Sequence, residues 1–240
     1  MSNLKNKAFV AGVGMVPFGK PGATDSYDVM AGRAVRKALD NAGLSYEQVQ
    51  QAVVGYVYGD STSGQRALYG VGMTGIPISN MNNNCSTGST ALFHARQLIE
   101  GGMAECVLAL GFEQMQPGAL AEHWNDRPSP FSEFDRLCDE IAPYQVPLAL
   151  RYFGGAGSEY MEKYGVTPHI FAKVRAKASR HAANNPMALF RKVVTEQEVM
   201  DAPMIFPEAG MTRLMACPPT CGAAAAILVS YDFAVKHNLD

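Results

Sequence analysis

Short apolar runs alternate along this 240-residue chain with longer stretches in which apolar residues recur at helical spacing. The runs typical of strands cover residues 7–14, 51–59, 75–83 and 104–113. Helical spacing predicts helices over 26–44, over 64–73 and directly after Cys85, and residues 222–240 predict a last strand followed by a helix. Strands that alternate with helices and are apolar on both sides indicate an α/β sheet covered by helices on both faces.

This alternation stops between Gln114 and Pro207, where we predict no strands. A segment rich in proline and polar residues, which we expect to be irregular, is followed by helices over 148–165 and 169–186. A short helix then begins at a capping-box pair, Thr195 and Glu198. We therefore predict a discontinuous α/β domain, residues 1–113 and 208–240, and an inserted loop domain, residues 114–207. A long insertion between two strands usually carries a binding surface.

Composition narrows the classes of partner and compartment. A net charge of −2 provides no electrostatic attraction for nucleic acid or for an anionic membrane, so we expect no nucleic-acid partner. No apolar run reaches the roughly 18 residues that a membrane span needs, so no membrane span is predicted. The five cysteines, at positions 85, 106, 138, 217 and 221, lie far apart. An odd, scattered set indicates reduced thiols in a cytoplasm-like compartment.

The stretch NNNCSTGST, residues 82–90, places Cys85 directly before a predicted helix. Unpaired N–H groups and the helix dipole lower the pKa of a thiol at such a position, and the same donors can stabilise an oxyanion on a thioester. The small residues after Cys85 leave room for a slender substrate. The predicted core-facing positions of this helix are Leu92, Ala95, Leu98 and Ile99. From the residues alone, Cys85 is either a catalytic nucleophile or a small core residue.

A nucleophilic cysteine also needs a base. His94, nine residues further on, would lie about 13.5 Å along the helix axis and about 180° around it, so we expect no contact with Cys85. The other histidines are His123, His169, His181 and His237. All four are more typical of surface or capping positions, and only those in the predicted insertion, His123 and His169, remain candidates.

Two shorter motifs suggest other sites. GVGMVP, residues 12–17, begins like a dinucleotide-binding loop, but a proline stands at the third glycine position. Cys217 and Cys221 frame the sequence CPPTC without a second pair of cysteines or histidines nearby, which zinc would require. We therefore predict neither a dinucleotide site nor a metal site.

Residues 55–115, from GYVYGDSTSGQ through NNNCSTGST to ALGFEQM, resemble the SCP-2-type branch of the thiolase superfamily, which includes the sterol carrier protein X thiolase domain. The resemblance continues through EYMEKYG, FAKV, NNP and GAAAAIL and so covers nearly the whole chain. It implies a thiolase-like N-terminal half: a five-stranded mixed sheet with helices on both faces and a long inserted loop domain that helps to bind coenzyme A. The acyl-accepting cysteine of this family matches Cys85.

The resemblance also implies a reaction, acyl-CoA C-acyl transfer in fatty-acid or sterol side-chain β-oxidation. In this family the cysteine attacks the keto carbon of a 3-oxoacyl-CoA, acetyl-CoA or propanoyl-CoA leaves, and free CoA takes up the shortened acyl group. We expect the CoA thioester as substrate and no bound cofactor. Thiolases are dimers or tetramers, and the strand before the cysteine lies near the dimer axis. The expected location is the cytoplasm, or the peroxisome in a eukaryote.

The chain also departs from the family pattern. The Gly-His-Pro and His-Asp-Cys-Phe segments, with which the family's second half supplies the base and positions a water, do not occur. Cys221 stands where relatives carry an acidic residue. We therefore expect an N-terminal half, inactive alone, as a fragment or as one subunit of a split enzyme, which forms a homodimer or pairs with the absent C-terminal half. The alternatives are a non-catalytic scaffold that pairs with a partner chain and a steroid side-chain retro-aldolase subunit, a class that we expect to lack the cysteine.

Overall fold

The structure, a computed structural model, describes residues 7–117, 124–141 and 146–239. The chain divides into two compact units, Met1–Pro117 with Thr220–Asp240, and Gly118–Pro219. The bounds of the second unit differ from those predicted for the insertion, 114–207. We describe each unit by itself.

Strands and helices alternate over the first unit, as the apolar pattern predicts. The elements in chain order are β1 (Ala8–Met15), α1 (Tyr27–Ala42), β2 (Gln51–Gly55), α2 (Ser63–Tyr69), β3 (Ile78–Met81), α3 (Thr87–Glu100), β4 (Cys106–Glu113), α4 (Ser132–Ile141), α5 (Leu148–Tyr164), α6 (His169–Ala183), α7 (Glu196–Met200), β5 (Met204–Phe206), β6 (Met211–Thr212), β7 (Gly222–Ser230) and α8 (Tyr231–Lys236). Elements α4 to β6 belong to the second unit, and the others belong to the first. Each strand and helix predicted in the first unit is present, with ends that differ by a few residues.

Five strands form one mixed sheet in the order β1-β7-β4-β2-β3. Strands β2, β3 and β4 are parallel, whereas β7 runs antiparallel to both β4 and β1. Buried residues of α1 and α2 pack on one face of the sheet, and those of α3 pack on the other. The predicted five-stranded mixed sheet with helices on both faces is confirmed. The carboxyl ends of three neighbouring parallel strands therefore meet at one edge, where ligands of open α/β sheets usually bind.

The glycines of the GVGMVP motif lie inside β1 and not in a loop. A Cβ atom at Gly12 would clash with the backbone of Ala38, and one at Gly14 would clash with the backbone of Ala34. Both glycines therefore allow α1 to approach the sheet closely. Close packing of α1 on the sheet therefore explains both glycines of the motif.

Two predictions in the second unit are wrong. Residues 132–141, expected to be irregular, form α4, a charged helix in which Arg136 pairs with Glu133 and Glu140 one turn away on either side. Phe134, Leu137 and Cys138 recur at helical spacing in this segment, and the charge pairs stabilise the helix further. Strand β5 lies where no strand was predicted, because three residues are too few to show an alternating pattern. The capping box at Thr195 is confirmed by its reciprocal bonds with Glu198.

The helices within 7–117, 124–141 and 146–239 are all too short or too polar to cross a membrane.

Candidate active site

Cys85 lies in the turn that joins β3 to α3, with an exposed side chain. Strand β3 ends at Met81, Ser86 is the N-cap, and Thr87 is the first helical residue. The prediction that a helix follows Cys85 is confirmed, with the cysteine two residues before its first turn. The turn therefore presents the thiol at the edge of the sheet where the parallel strands end.

The asparagines before Cys85 build this turn. The backbone N–H of Asn83 donates to Thr87 Oγ1 and its side-chain Nδ2 donates to Thr90 Oγ1, both at 2.9 Å. Asn84 has a φ of 48°, in the left-handed region that asparagine tolerates better than most residues. The Cys85 Sγ lies 3.9 Å from Asn84 Oδ1. The turn is thus tied to the helix on one side of Cys85 and bent sharply just before it.

Two glycines of the sheet determine how closely α3 can approach. Gly55 of β2 and Gly111 of β4 pair with each other across the two strands. A Cβ on Gly111 would lie 3.4 Å from the Cα of Gly88, in the first turn of α3. The start of the helix therefore rests on the sheet where neither strand has a side chain.

The first turn of α3 leaves backbone donors free. Ser86 makes no side-chain cap hydrogen bond. Among the described residues, the backbone N–H groups of Gly88 and Ser89 have no acceptor. Free N–H groups at a helix N-terminus attract negative charge, and those of α3 lie three and four residues beyond Cys85.

The face that α3 turns to the sheet agrees with the predicted one at Ala95, Leu98 and Ile99 and differs at Leu92. Its buried positions are Thr87, Ala91, Ala95 and Ile99. The expectation of a core-facing Leu92 is wrong, because this side chain is 41% exposed beside Phe93, which is 53% exposed. Thr87, Ala91, Ala95 and Ile99 thus pack on the sheet at four-residue spacing, whereas Leu92 and Phe93 lie on the outer face.

Two residues at and just beyond the carboxyl ends of β4 and β2 were missed in the sequence, Glu113 and Tyr58. Glu113 Oε2 accepts the backbone N–H of Val57 at 2.9 Å, and Oε1 accepts that of Tyr58 at 3.2 Å. Burial raises the pKa of the Glu113 carboxyl, although these N–H bonds oppose the shift. Burial also raises the pKa of the Tyr58 phenol, and the charges of Glu113 and Cys85 add to that shift.

A sequence signal for these two residues exists. Glu113 closes a fully apolar strand, and Tyr58 comes three residues after another strand that ends at Gly55. Polar groups at the carboxyl ends of parallel strands meet at one edge, but only the strand order shows that β2 and β4 are neighbours.

The two histidines of the first unit have partners other than Cys85. The ring of His94 lies edge-on to Phe93, with centroids 5.6 Å apart. His237 Nδ1 lies 3.2 Å from Gln48 Nε2, and its ring packs on Phe233. Neither histidine hydrogen-bonds to Cys85.

The remaining histidines lie elsewhere in the chain. His169 opens α6 and His181 lies in its last turn, both in the second unit, and His123 falls outside the described residues. In the described part of the chain, no three His, Cys, Asp or Glu side chains are grouped closely enough to hold a metal ion.

Cys221 is accommodated in the turn before β7. Its backbone N–H donates to Gly19 O at 2.9 Å and its carbonyl accepts from Gly19 N at 3.0 Å. Its thiol is buried and donates to Met115 O at 3.4 Å. A cysteine at this position is therefore compatible with a well-formed start of the last strand.

Comparison with known proteins identifies relatives along nearly the whole chain. The family described as thiolase, N-terminal domain, matches residues 8–202. Sterol carrier protein 2 of Homo sapiens is 51% identical over 237 residues, which are 97% of this chain and 43% of the relative. The chain thus spans less than half the length of this relative.

Solved structures share the fold at lower identity. The structure titled Ltp2-ChsH2(DUF35) aldolase matches 97% of this chain and 58% of its own, with a TM-score of 0.76 and 22% identity. Human mitochondrial 3-ketoacyl-CoA thiolase in complex with CoA matches 99% of this chain and 68% of its own, with a TM-score of 0.70 and 19% identity. At these identities the likeness concerns the fold alone.

Proposed function

This chain belongs to the thiolase family, as its SCP-2-type N-terminal part, and we propose that it supplies the acyl-accepting cysteine of a 3-oxoacyl-CoA thiolase. The observation that carries this proposal is the placement of Cys85. Its thiol is exposed in the turn between β3 and α3, at the shared carboxyl edge of three parallel strands. A structural core cysteine would be buried, as Cys106 is.

The proposed reaction proceeds through a thioester on Cys85. The thiolate attacks the keto carbon of a 3-oxoacyl-CoA, the bond between the α- and β-carbons breaks, and the enolate of the departing acyl-CoA takes up a proton. The thiolate of free CoA then attacks the thioester, the shortened acyl-CoA forms, and Cys85 leaves as the thiolate. Negative charge develops on the attacked carbonyl oxygen in both steps. The free N–H groups of Gly88 and Ser89 are the proposed donors that stabilise it.

Partners and compartment belong to the same proposal. We assign the second unit, Gly118–Pro219, to the loop domain that helps to bind coenzyme A. The base is expected from the C-terminal half of a thiolase, and edge strand β3 is the proposed contact with a second copy. Free cysteines, Cys85 among them, suit the cytoplasm, or the peroxisome in a eukaryote.

The release of coenzyme A tests the proposal. An excess of acetyl-CoA that acylates Cys85 liberates up to one CoA per chain and then stops, because the released CoA is the only acceptor for the enzyme thioester and its attack reverses the step. We expect such a stoichiometric burst by chromatography, and faster release once a thiolase C-terminal half is added. No CoA release under either condition would reject the proposal.

A retro-aldolase subunit is the second candidate, favoured by the fold likeness to the Ltp2-ChsH2(DUF35) aldolase. The exposed Cys85 thiol favours thiolysis, because carbon–carbon cleavage by a retro-aldolase needs no acyl-accepting thiol. An adduct on Cys85 therefore separates the two reactions. A scaffold that only pairs with another chain would bind its partner through the exposed face of α3 and show no adduct.

A further inference from the structure

The ends of two neighbouring strands are joined by a single carboxylate. Gly55 and Gly111 pair across β2 and β4, so Glu113 lies two residues beyond this pair on β4. Its two oxygens accept the N–H groups of Val57 and Tyr58, which lie two and three residues beyond the same pair on β2. The Glu113 carboxylate therefore holds the segment that follows β2 in place.

The held segment lies on the same edge as Cys85. Gly55 also pairs with Met81 across β2 and β3, and the Tyr56 N–H donates to Met81 O at 3.3 Å. Tyr58 thus comes three residues after the end of β2, and Cys85 comes four residues after the end of β3, the strand paired with β2. The charge of the Cys85 thiolate also contributes to the raised pKa of the Tyr58 phenol, after burial and the charge of Glu113.

We propose that Glu113 is a positioning residue: by binding the amides of Val57 and Tyr58, it keeps the Tyr58 phenol beside Cys85 as one wall of the acyl-binding space. This inference rests on the proposed role of Cys85 as acyl acceptor. A carboxylate is suited to the task because both of its oxygens accept hydrogen bonds. The carboxamide of Glu113→Gln has only one oxygen that accepts hydrogen bonds. Its NH₂ group would face one of the two backbone N–H donors, of Val57 or Tyr58.

The Tyr58 ring can be observed directly by NMR with tyrosine labelled at ¹³Cζ. Alkylation of Cys85 with iodoacetate adds a carboxylate beside the phenol and should move the Tyr58 signal. We expect the wild-type signal to move on this modification and the signal of Cys85→Ala not to. In Glu113→Gln the response should fall severalfold. The control Glu105→Gln, an exposed carboxylate at the other end of β4, should respond as the wild type does.

A purely structural role of Glu113 gives a different result. In that case Glu113→Gln lowers the melting temperature, while the folded protein keeps the wild-type Tyr58 response, and this outcome would overturn the proposal. A wild-type Tyr58 signal that is insensitive to Cys85 would also overturn it.

A wild-type measurement covers the case in which Glu113→Gln does not fold. When the pH is lowered, the amide signals of Val57 and Tyr58 should move together with a midpoint above the usual pKa of glutamate, and the Tyr58 ring signal should move with them. Amide signals that move while the ring signal does not would contradict the positioning role. None of these signals requires acyl transfer, so a chain that cannot be acylated but shows them would reject the proposed function alone.

Discussion

Thr87, the first residue of α3, lies directly against Gly55, the last residue of β2. A Cβ atom on Gly55 would come within 2.6 Å of Thr87 Cγ2 and 2.8 Å of the Thr87 carbonyl oxygen. Cys85 lies two residues before Thr87, so the contact that fixes the start of the helix also fixes the position of the thiol.

Replacing Gly55 by alanine should push the start of α3 off the sheet. Because Thr87 is buried and the obstructing atoms include backbone, we expect Gly55→Ala to lower the free energy of unfolding by about 1–3 kcal/mol. Urea unfolding measures this change. Gly70→Ala is the matched control, since a Cβ there meets nothing within 4 Å at a φ of −73°, and it should have little effect. Equal stability of the two variants would contradict the close contact.

The outer face of α3 should matter for association and not for the folding of the chain alone. Leu92 and Phe93 are 41% and 53% exposed, so Leu92→Lys and Phe93→Lys should change the free energy of unfolding by no more than about 0.5 kcal/mol. If this face binds a thiolase C-terminal half, the same variants should weaken that association at least tenfold. Sedimentation of the mixed chains measures it, with Gln97→Lys as a polar exposed control on the same helix. Unchanged association of the lysine variants would exclude this face as the interface.

Ser179 should be required in the core of the second unit. The fully buried hydroxyl accepts the Val194 N–H at 3.0 Å and donates to Ala176 O at 2.7 Å. Ser179→Ala leaves that N–H buried without an acceptor, at a cost of about 1–3 kcal/mol. Hydrogen exchange at the Val194 amide should accelerate accordingly, whereas the exposed Ser132→Ala should leave it unchanged. Undiminished protection in Ser179→Ala would refute the assigned bond.

Glu113 should make stability depend on pH with a defined sign. Its pKa in the folded state is raised above the ordinary 4.5, so between these two values the folded chain binds more protons than the unfolded chain. The free energy of unfolding of the wild type should therefore fall, relative to Glu113→Gln, as the pH rises through this window. Urea unfolding at a series of pH values tests this. The free energy of unfolding of Glu105→Gln should depend on pH in the same way as that of the wild type. A wild type that gains stability relative to Glu113→Gln would contradict the direction of the shift.

The apolar pattern was enough to predict the main elements of the first unit, because runs such as 104–113 admit few interpretations. It placed Ala95 and Ile99 correctly on the buried face of α3 but put Leu92 there as well, since apolar residues lie on both faces of that helix. Tyr58 and Glu113 could not be linked to Cys85 from the sequence, because their proximity depends on strand order and register. Helix α4 was missed although Phe134, Leu137 and Cys138 recur at helical spacing, because the proline-rich segment around these ten residues indicated irregular structure.

The identity of the acyl acceptor tests the account most directly. Wild type, Cys85→Ser and Cys217→Ser, the last a control at another exposed cysteine, are incubated with acetyl-CoA, and peptide mapping by mass spectrometry locates the adduct. We predict an acetyl thioester on the peptide that contains Cys85 in the wild type and in Cys217→Ser, and none in Cys85→Ser. An unmodified Cys85 in the wild type, even with a thiolase C-terminal half supplied, would contradict the account.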